Sequence, residues 1–243
     1  MKTINFFFII IILLGCDQRS NNLNRLSDLI KPQYSKQQSF FSCSLLPNQT
    51  LSSIEMFIPS FVESFVKLGD SSEEIFFIFP IQNAEVETSK FKILLNHDEN
   101  TSIDKVNLTF AALQFFSIAN CNTNIPTLSA TNFLELLPTN NSTVIEILEC
   151  EYLQNYNFAT MKLVFDEVIN EINKYDQKVG ISYADNTLDN INFRWINSFE
   201  SIDSRKSFVE LWQSSVTGKE IQAQLLEQSK CRGSEIYAAY KVL

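Results

Sequence analysis

Two stretches of this sequence, each led by a cysteine, can be aligned with one another. The stretch 43–48 matches 150–155, and a similar pattern of apolar residues follows each of them. Later in the chain Cys121 matches Cys231, with insertions between the matching blocks. An internal repeat constrains a fold more than any single motif, because each copy must form the same structural unit. The sequence therefore predicts a duplicated body.

The second copy, residues 140–243, shows a regular succession of strand and helix patterns. Alternating apolar residues indicate strands, and apolar residues three and four apart indicate one face of a helix. The predicted elements are a strand at Ser142–Tyr152, a helix at Asn157–Lys174, strands at Val179–Ala184 and Ile191–Phe199, a helix that begins after Ser201 and is interrupted at Gly218, and a strand at Ile236–Val242. This β-α-β-β-α-β order is that of the ferredoxin-like unit.

The first copy, residues 37–139, repeats the order more loosely. Its predicted elements are strands at Phe40–Leu46, Glu74–Ile81, Phe91–His97 and Asn132–Leu137, with helices at Ser52–Leu68 and Ser102–Ala119. The predicted fold class is therefore α+β, with two tandem ferredoxin-like repeats.

This element order, with the strand Phe193–Phe199 followed by a helix that contains Trp212, resembles the dimeric α/β-barrel superfamily. The resemblance covers about residues 38–243 and implies that the two units pack sheet to sheet as a pseudo-dimeric barrel. Some members of that superfamily are small cofactor-free monooxygenases, others bind haem, and many have no assigned activity. No set of catalytic residues carries over to this sequence, because a fold does not determine a chemistry.

The N-terminus resembles that of bacterial lipoproteins. A short basic start is followed by an apolar run from Phe6 to Leu14, which is about half the length that a membrane-spanning helix needs. The sequence Leu13-Leu14-Gly15-Cys16 resembles a lipobox, which implies that residues 1–15 are a signal peptide and that Cys16 is lipidated. Residues 16–36 are then a polar tether, and the acyl chains attach the protein to a membrane. We expect a periplasm-facing envelope protein, and Asp17 favours the inner membrane over the outer one.

Charge and composition exclude several classes of function. The formal net charge is −9, which argues against nucleic acid because phosphate binding needs clustered basic residues. Five glycines form neither of the glycine-rich loops that bind phosphate. The chain has one histidine and no CxxC pair, so we predict neither a metal site nor a cofactor. The oligomeric state stays open.

The four cysteines that follow Cys16 are predicted to form disulfides, because export places them in an oxidising compartment. Three pairings are possible. In the predicted unit the first strand and the second helix run in the same direction, so their carboxyl ends lie at one edge. This favours one bond in each copy, Cys43–Cys121 and Cys150–Cys231, whereas four free buried thiols are the alternative.

The sequence offers few candidates for chemistry, and we assign no catalytic residue. His97 ends a predicted strand, where strand gives way to turn, and precedes Asp98, so it is either a general base oriented by that carboxylate or, in the favoured interpretation, a solvated loop histidine. Arg194 and Trp195 alternate along one strand near Tyr183 and could line a ligand pocket. The favoured interpretation of Arg194 is an arginine that extends past apolar neighbours to an acidic partner.

Two functional hypotheses follow from the sequence. The favoured one is a non-catalytic, lipid-anchored body that binds a small apolar ligand or an envelope protein. The other is a cofactor-light, monooxygenase-like enzyme of the dimeric α/β-barrel type that acts on a small apolar molecule. A pocket of about 300 Å³ or more between the sheets, with Tyr183, Arg194 or His97 converging on it, would favour the enzyme.

Overall fold

The computed structural model describes residues 32–69, 73–82, 85–86, 89–98, 101–122, 125–136, 142–175, 178–186 and 191–243. The predicted signal peptide, the lipidation site Cys16, Asp17 and most of the tether lie outside this part of the chain. Within it, no helix is long and apolar enough to cross a membrane.

The first half of the described chain contains six strands and two α-helices. In chain order they are β1 (Lys36–Leu45), α1 (Leu51–Val66), β2 (Glu74–Gln82), β3 (Glu85–Val86), β4 (Lys90–His97), α2 (Thr101–Ala112), a short 3₁₀ helix (Phe115–Ser117), β5 (Ala119–Cys121) and β6 (Thr127–Leu134).

The second half contains five strands and three helices. They are β7 (Ser142–Tyr152), α3 (Phe158–Ile172), β8 (Val179–Asp185), β9 (Asn192–Phe199), α4 (Ile202–Ser214), α5 (Val216–Gln228), β10 (Ser229–Cys231) and β11 (Glu235–Lys241). The Asn157 side chain accepts a hydrogen bond from the backbone N–H of Thr160, so α3 begins with a capping box.

Eight of these strands close into one barrel. The neighbours around it are β7, β11, β2, β4, β1, β6, β8 and β9, and β9 pairs again with β7. We expected two tandem ferredoxin-like repeats whose sheets pack on one another, and this expectation was wrong in its finer part. The edge strand β6 pairs with β8, and β11 pairs with β2, so backbone hydrogen bonds join the halves into a single sheet that leaves none of the eight strands unpaired.

Side chains that alternate along each strand divide the interior into a barrel core and two helix-covered layers. The barrel core fills the middle of the lumen and contains Phe40, Ile78, Leu94, Ile145, Ile147, Ile196, Tyr237 and Ala239. On the outer face of the first half, α1 and α2 cover a core rich in phenylalanine. On the outer face of the second half, α3, α4 and α5 cover two further clusters.

Most predicted elements are present, and the differences have local causes. The helix predicted at Ser102–Ala119 ends at Ala112, and the strand predicted at Asn132–Leu137 begins earlier, at Thr127. The short strands β5 and β10 were missed, since three residues are too few to show a period.

The break in the last helical segment falls at Ser215 rather than at Gly218. The Ser215 side chain accepts a hydrogen bond from the backbone N–H of Gly218 at 3.0 Å and so caps α5. Gly218 allows a close approach, because a Cβ atom there would lie 2.7 Å from the carbonyl oxygen of Trp212.

Each half contains one disulfide between a long strand and a short one. Cys43 on β1 lies directly opposite Cys121 on β5, and Cys150 on β7 lies opposite Cys231 on β10. Both bonds are formed, at Cα–Cα distances of 4.0 and 3.9 Å. This is the pairing that strand and helix direction favoured in the sequence.

Removing either disulfide by double replacement with serine should lower the free energy of unfolding by about 2–5 kcal/mol, because each bond closes a long loop in the unfolded chain. The sequence separations are 78 and 81 residues, so C43S/C121S and C150S/C231S should lose similar amounts. Urea unfolding of the oxidised proteins measures the loss. Peptide mapping without reductant provides the control, and a peptide that links Cys43 to Cys150 would contradict the structure.

Candidate functional site

A cavity of about 320 Å³ lies between the sheet and the helices of the second half. We call it the helix–sheet pocket. Its inner wall is the outer face of β7 and β9, and its outer wall is formed by α3, α4 and α5. Apolar and aromatic side chains make up most of the lining: Leu148, Met161, Phe165, Val168, Ile172, Phe193, Trp195, Phe208, Val209, Trp212 and Leu225. Ligand sites of small molecules are usually concave and mostly apolar in this way.

One ion pair lies within this apolar lining. A guanidinium nitrogen, Nη2, of Arg205 on α4 donates to Oε1 of Glu146 on β7 at 2.5 Å. The side chains are 20% and 9% exposed, so both charges are largely removed from solvent. Because removing a charge from water is costly, each of these two charged groups needs the other close by, in good hydrogen-bonding geometry.

Two more polar side chains continue from the ion pair along β9. The amide of Asn197 donates to Oε2 of Glu146 at 3.5 Å, and the indole N–H of Trp195 donates to Oδ1 of Asn197 at 2.7 Å. The indole, the amide, the carboxylate and the guanidinium therefore form one hydrogen-bonded row across the pocket wall. Such a row fixes the side-chain orientations because each group holds the next one.

Arg205 is the member of this row best suited to contact a ligand. Glu146 is the one hydrogen-bond partner of its guanidinium among the described residues, and a guanidinium has five N–H donors. The remaining donors can bind an oxygen that carries negative charge, and Glu146 can accept a proton from the group that Arg205 orients. The pocket can therefore hold an apolar ring and bind one acidic oxygen.

The pocket is bounded on one side by the disulfide Cys150–Cys231 and on another by a buried group that we call the tyrosine cluster. Its members are Tyr34, Tyr152, Tyr183 and Asp185. The Asp185 carboxylate accepts hydrogen bonds from Tyr34 at 2.5 Å and from Tyr183 at 3.0 Å. The hydroxyl groups of Tyr152 and Tyr183 lie 3.0 Å apart. Tyr183 also contacts pocket-lining aromatic rings, so the cluster supports the pocket from behind.

Burial determines the titration of the tyrosine cluster. It raises the pKa of the Asp185 carboxyl, although the hydroxyl groups of Tyr34 and Tyr183 act in the opposite direction by donating to it. Burial also raises the pKa of Tyr183 and of Tyr152, so both phenols stay protonated near neutral pH.

The structure separates the four candidate residues that the sequence singled out. Trp195 lines the helix–sheet pocket, and Tyr183 lies behind it. Arg194 faces the opposite side of the sheet, where its Nε donates to Glu149 at 2.7 Å and its guanidinium lies 4.2 Å from the ring of Phe40. A second cavity, of about 450 Å³, lies inside the barrel, but none of the four residues lines it.

The structure contradicts the favoured interpretation of His97 as a solvated loop histidine. The side chain is completely buried at the end of β4, not solvated. Its Nε2 lies 2.9 Å from the hydroxyl of Ser39, which in turn lies 2.9 Å from the hydroxyl of Thr127. His97 faces the helices of the first half and contributes to neither cavity.

Sequence reasoning missed the ion pair. Neither Arg205 nor Glu146 was singled out from the sequence. One sign was present, because Glu146 lies on the same face of β7 as Val144, Leu148 and Cys150. A carboxylate in the middle of an apolar face needs a buried partner, and only the fold shows which residue provides it.

Comparison with known proteins finds similarity of fold alone. No protein family and no curated protein matches the sequence. Among solved structures, a candidate monooxygenase from Fusobacterium nucleatum superposes with a TM-score of 0.57 at 9% identity, over 88% of this chain and 94% of that one. A chlorite dismutase variant from Candidatus Nitrospira defluvii gives 0.55 at 7% identity, over 90% and 96%. A haem-binding protein from Thermus thermophilus gives 0.54 at 8% identity, over 85% and 92%.

The fold is that of the dimeric α/β barrels. Here one chain supplies the whole barrel, and the similar structures are covered over nearly their full length. At these identities the similarity shows nothing about substrate or cofactor.

The described residues do not fit a haem at the helix–sheet pocket. Haem iron is held by histidine, cysteine thiolate, methionine with histidine, or tyrosine. The one histidine of the chain, His97, is buried in the other half, and both cysteines of the pocket wall are bonded to one another. Met161 alone remains as a thioether, and the phenol of Tyr183 is already hydrogen-bonded to Asp185.

Replacement of Asp185 by asparagine tests the titration of the tyrosine cluster. Because burial places the folded-state pKa above the ordinary carboxyl value, Asp185 stabilises the fold most at low pH, and this contribution is lost as the pH rises through the raised pKa. Relative to D185N, the natural protein should therefore lose stability between about pH 4 and pH 7. Urea unfolding at both pH values measures this difference.

The exposed Glu210 provides a control, since E210Q should show no comparable trend. If D185N instead becomes relatively less stable toward pH 7, then the ionised carboxylate stabilises the cluster and the assigned direction is wrong.

Proposed function

We propose that this chain is a cofactor-light, monooxygenase-like enzyme whose helix–sheet pocket takes a small, ring-bearing, mainly apolar molecule with one acidic hydroxyl group. One observation carries this proposal: an aromatic pocket of about 320 Å³ contains a buried Glu146–Arg205 pair with unused guanidinium donors. The candidate monooxygenase among the structural neighbours supports the enzyme over a purely structural body at the level of fold.

Each feature of the pocket contributes to this assignment. Flat aromatic walls favour a flat ring through stacked and edge-to-face contacts. Arg205 would bind the deprotonated oxygen of the ligand, and Glu146 would accept the proton. An ionised ring is electron-rich and can be oxidised by dioxygen, which is the co-reactant that a cofactor-light oxygenase needs. One oxygen atom would enter the ring as a carbonyl, and the other would leave as water with the hydroxyl hydrogen and one ring hydrogen, so the substrate itself supplies the electrons. Because the residues do not fit a haem, the proposal uses no step through one.

A non-catalytic binding body, favoured by the sequence, is the second candidate, because the same pocket would serve it. The two differ in a measurable way. With 1-naphthol as the probe, an enzyme consumes dioxygen with saturation in substrate, whereas a binding protein takes up the ring without consuming oxygen.

We also infer where the protein is located in the cell and that its two halves arose by duplication. The lipobox-like sequence at residues 13–16 and the two disulfides support an exported, lipid-anchored, periplasm-facing protein. Along the chain, the long elements of both halves follow the order β-α-β-β-α-β, with the second helix of the second half divided into α4 and α5. Each half also has a short strand, β5 or β10, that is bonded to the first long strand through a cysteine. This recurrence supports a duplicated unit whose copies joined edge to edge.

Fluorescence of the natural protein tests the proposed pocket, because the chain has two tryptophans and both line it. The probes are 4-nitrophenol, which absorbs near the emission of tryptophan, and nitrobenzene, which lacks the hydroxyl group. Both should quench the emission. Bound 4-nitrophenol should in addition show the 400 nm band of its anion at a pH where the free probe is mostly neutral, because Arg205 stabilises the anion.

The variant R205Q should lose the 400 nm band and bind 4-nitrophenol about tenfold more weakly, with nitrobenzene binding little changed. Arg232 is exposed and does not line the pocket, so R232Q is the matched control. Circular dichroism confirms that both variants fold. Equal effects of the two variants, or unchanged emission with both probes, would remove the support for this pocket.

A further inference from the structure

The second cavity, of about 450 Å³, occupies the end of the barrel lumen where β1 and β2 begin and β11 ends. The barrel core closes it below, with the side chains of Phe76, Leu94, Ile145 and Ile196 as an apolar floor. Polar side chains form the walls and the mouth: Lys36, Gln38, Glu74, Asn96, Ser182 and Lys241.

We propose that this end of the lumen is a second binding site, separate from the helix–sheet pocket, for a small neutral molecule that carries several hydroxyl groups on a ring. The two cavities share no lining residue. They lie on opposite faces of the same strands, since Ile145 lines one cavity and its neighbour Glu146 the other.

The charges at the mouth are balanced, which is why we infer a neutral ligand. Glu74 Oε1 accepts from Lys241 at 2.7 Å, while its Oε2 accepts from Asn96 at 3.3 Å and lies 3.7 Å from Lys36. Both oxygens therefore have partners within the protein. The whole lining contains two lysines and two glutamates. Both lysines lie close to Glu74, and the second glutamate is the exposed Glu135.

Neutral hydrogen-bonding groups in the wall, by contrast, are incompletely used. Gln38 is 3% exposed, and its Nε2 donates to Asn96, but its buried Oε1 has no partner among the described residues. The hydroxyl of Ser182 is also buried without a partner. A buried polar atom without a hydrogen bond is costly, and a ligand hydroxyl can donate to the amide oxygen and either donate to or accept from the serine.

The shape of the cavity agrees with this ligand class. A ring that carries hydroxyl groups has apolar C–H faces and a polar edge. The apolar floor can contact one face of such a ring while the edge meets Gln38, Ser182 and Asn96. A fully apolar molecule would leave these wall groups unpaired, and an anion would have to compete with Glu74 for the two lysines.

Isothermal titration of the full mature chain with D-glucose and myo-inositol tests the proposal, with gluconate and glucosamine as charged counterparts. The neutral probes should bind, and the charged ones should bind at least about tenfold more weakly. Tryptophan emission should not change, because both tryptophans line the other cavity. If 4-nitrophenol failed to bind in the helix–sheet pocket, the proposed function would be contradicted, but the binding of glucose and inositol expected here would not change.

The variant Q38L should weaken binding of the neutral probes about tenfold or more. Gln37 is its matched control, since it lies next in sequence, faces the other side of β1 and also has an unpartnered Oε1. Q37L should therefore leave binding within about twofold. T143F, which places a ring at the mouth without removing a hydrogen-bonding partner, should block binding if Q38L proves unstable.

Three results would overturn the proposal. The first is that neither neutral probe binds at about 20 mM. The second is that the charged probes bind as tightly as the neutral ones. The third is that Q37L weakens binding more than T143F does.

Discussion

Backbone hydrogen bonds between the edge strands of the two halves are the constraint on which the other features depend. β6 pairs with β8 and β11 pairs with β2, so the eight strands form a closed sheet. An open sheet of four strands would have one face against helices and the other against water. Closure converts the second face of each half into a lumen, and the lumen is filled by residues that alternate with those under the helices.

Features that the pattern of side chains encodes could be predicted from the sequence, whereas features that depend on main-chain pairing could not. The long strands and helices follow from side-chain period, and Ser142–Tyr152 has the predicted bounds. Closure could not be predicted in this way, because the pairing of β6 with β8 consists of main-chain hydrogen bonds, which any sequence of strand type can form. The break between α4 and α5 depends on one capping side chain, Ser215, and a pattern of apolar residues does not show it.

The site was less predictable than the fold, for a related reason. Alternation correctly placed Trp195 and Arg194 on opposite faces of β9, but it could not indicate that the aromatic helix–sheet pocket lies on the face of Trp195. His97 illustrates the opposite error. Its polar neighbours in sequence suggested a solvated position, although the predicted strand already ended at His97. The side chain instead lies beneath the first-half helices, with its Nε2 close to the hydroxyl of Ser39. Local composition is a poor guide to burial at the end of a strand.

Under the proposed function, the Glu146–Arg205 pair serves ligand binding rather than stability. Two apolar side chains of similar volume would fill the space beneath α4 at no cost in desolvation, and buried ion pairs often contribute little net stability. The surroundings nevertheless hold the pair rigidly, with Asn197 and Trp195 on one side and the disulfide of Cys150 and the tyrosine cluster bounding the same wall. A preorganised charge in an apolar cavity interacts more strongly with a complementary ligand group than it would in water, because the effective dielectric constant there is lower. In the proposed function, the arrangement would contribute selectivity for a ring that carries an acidic oxygen rather than stability.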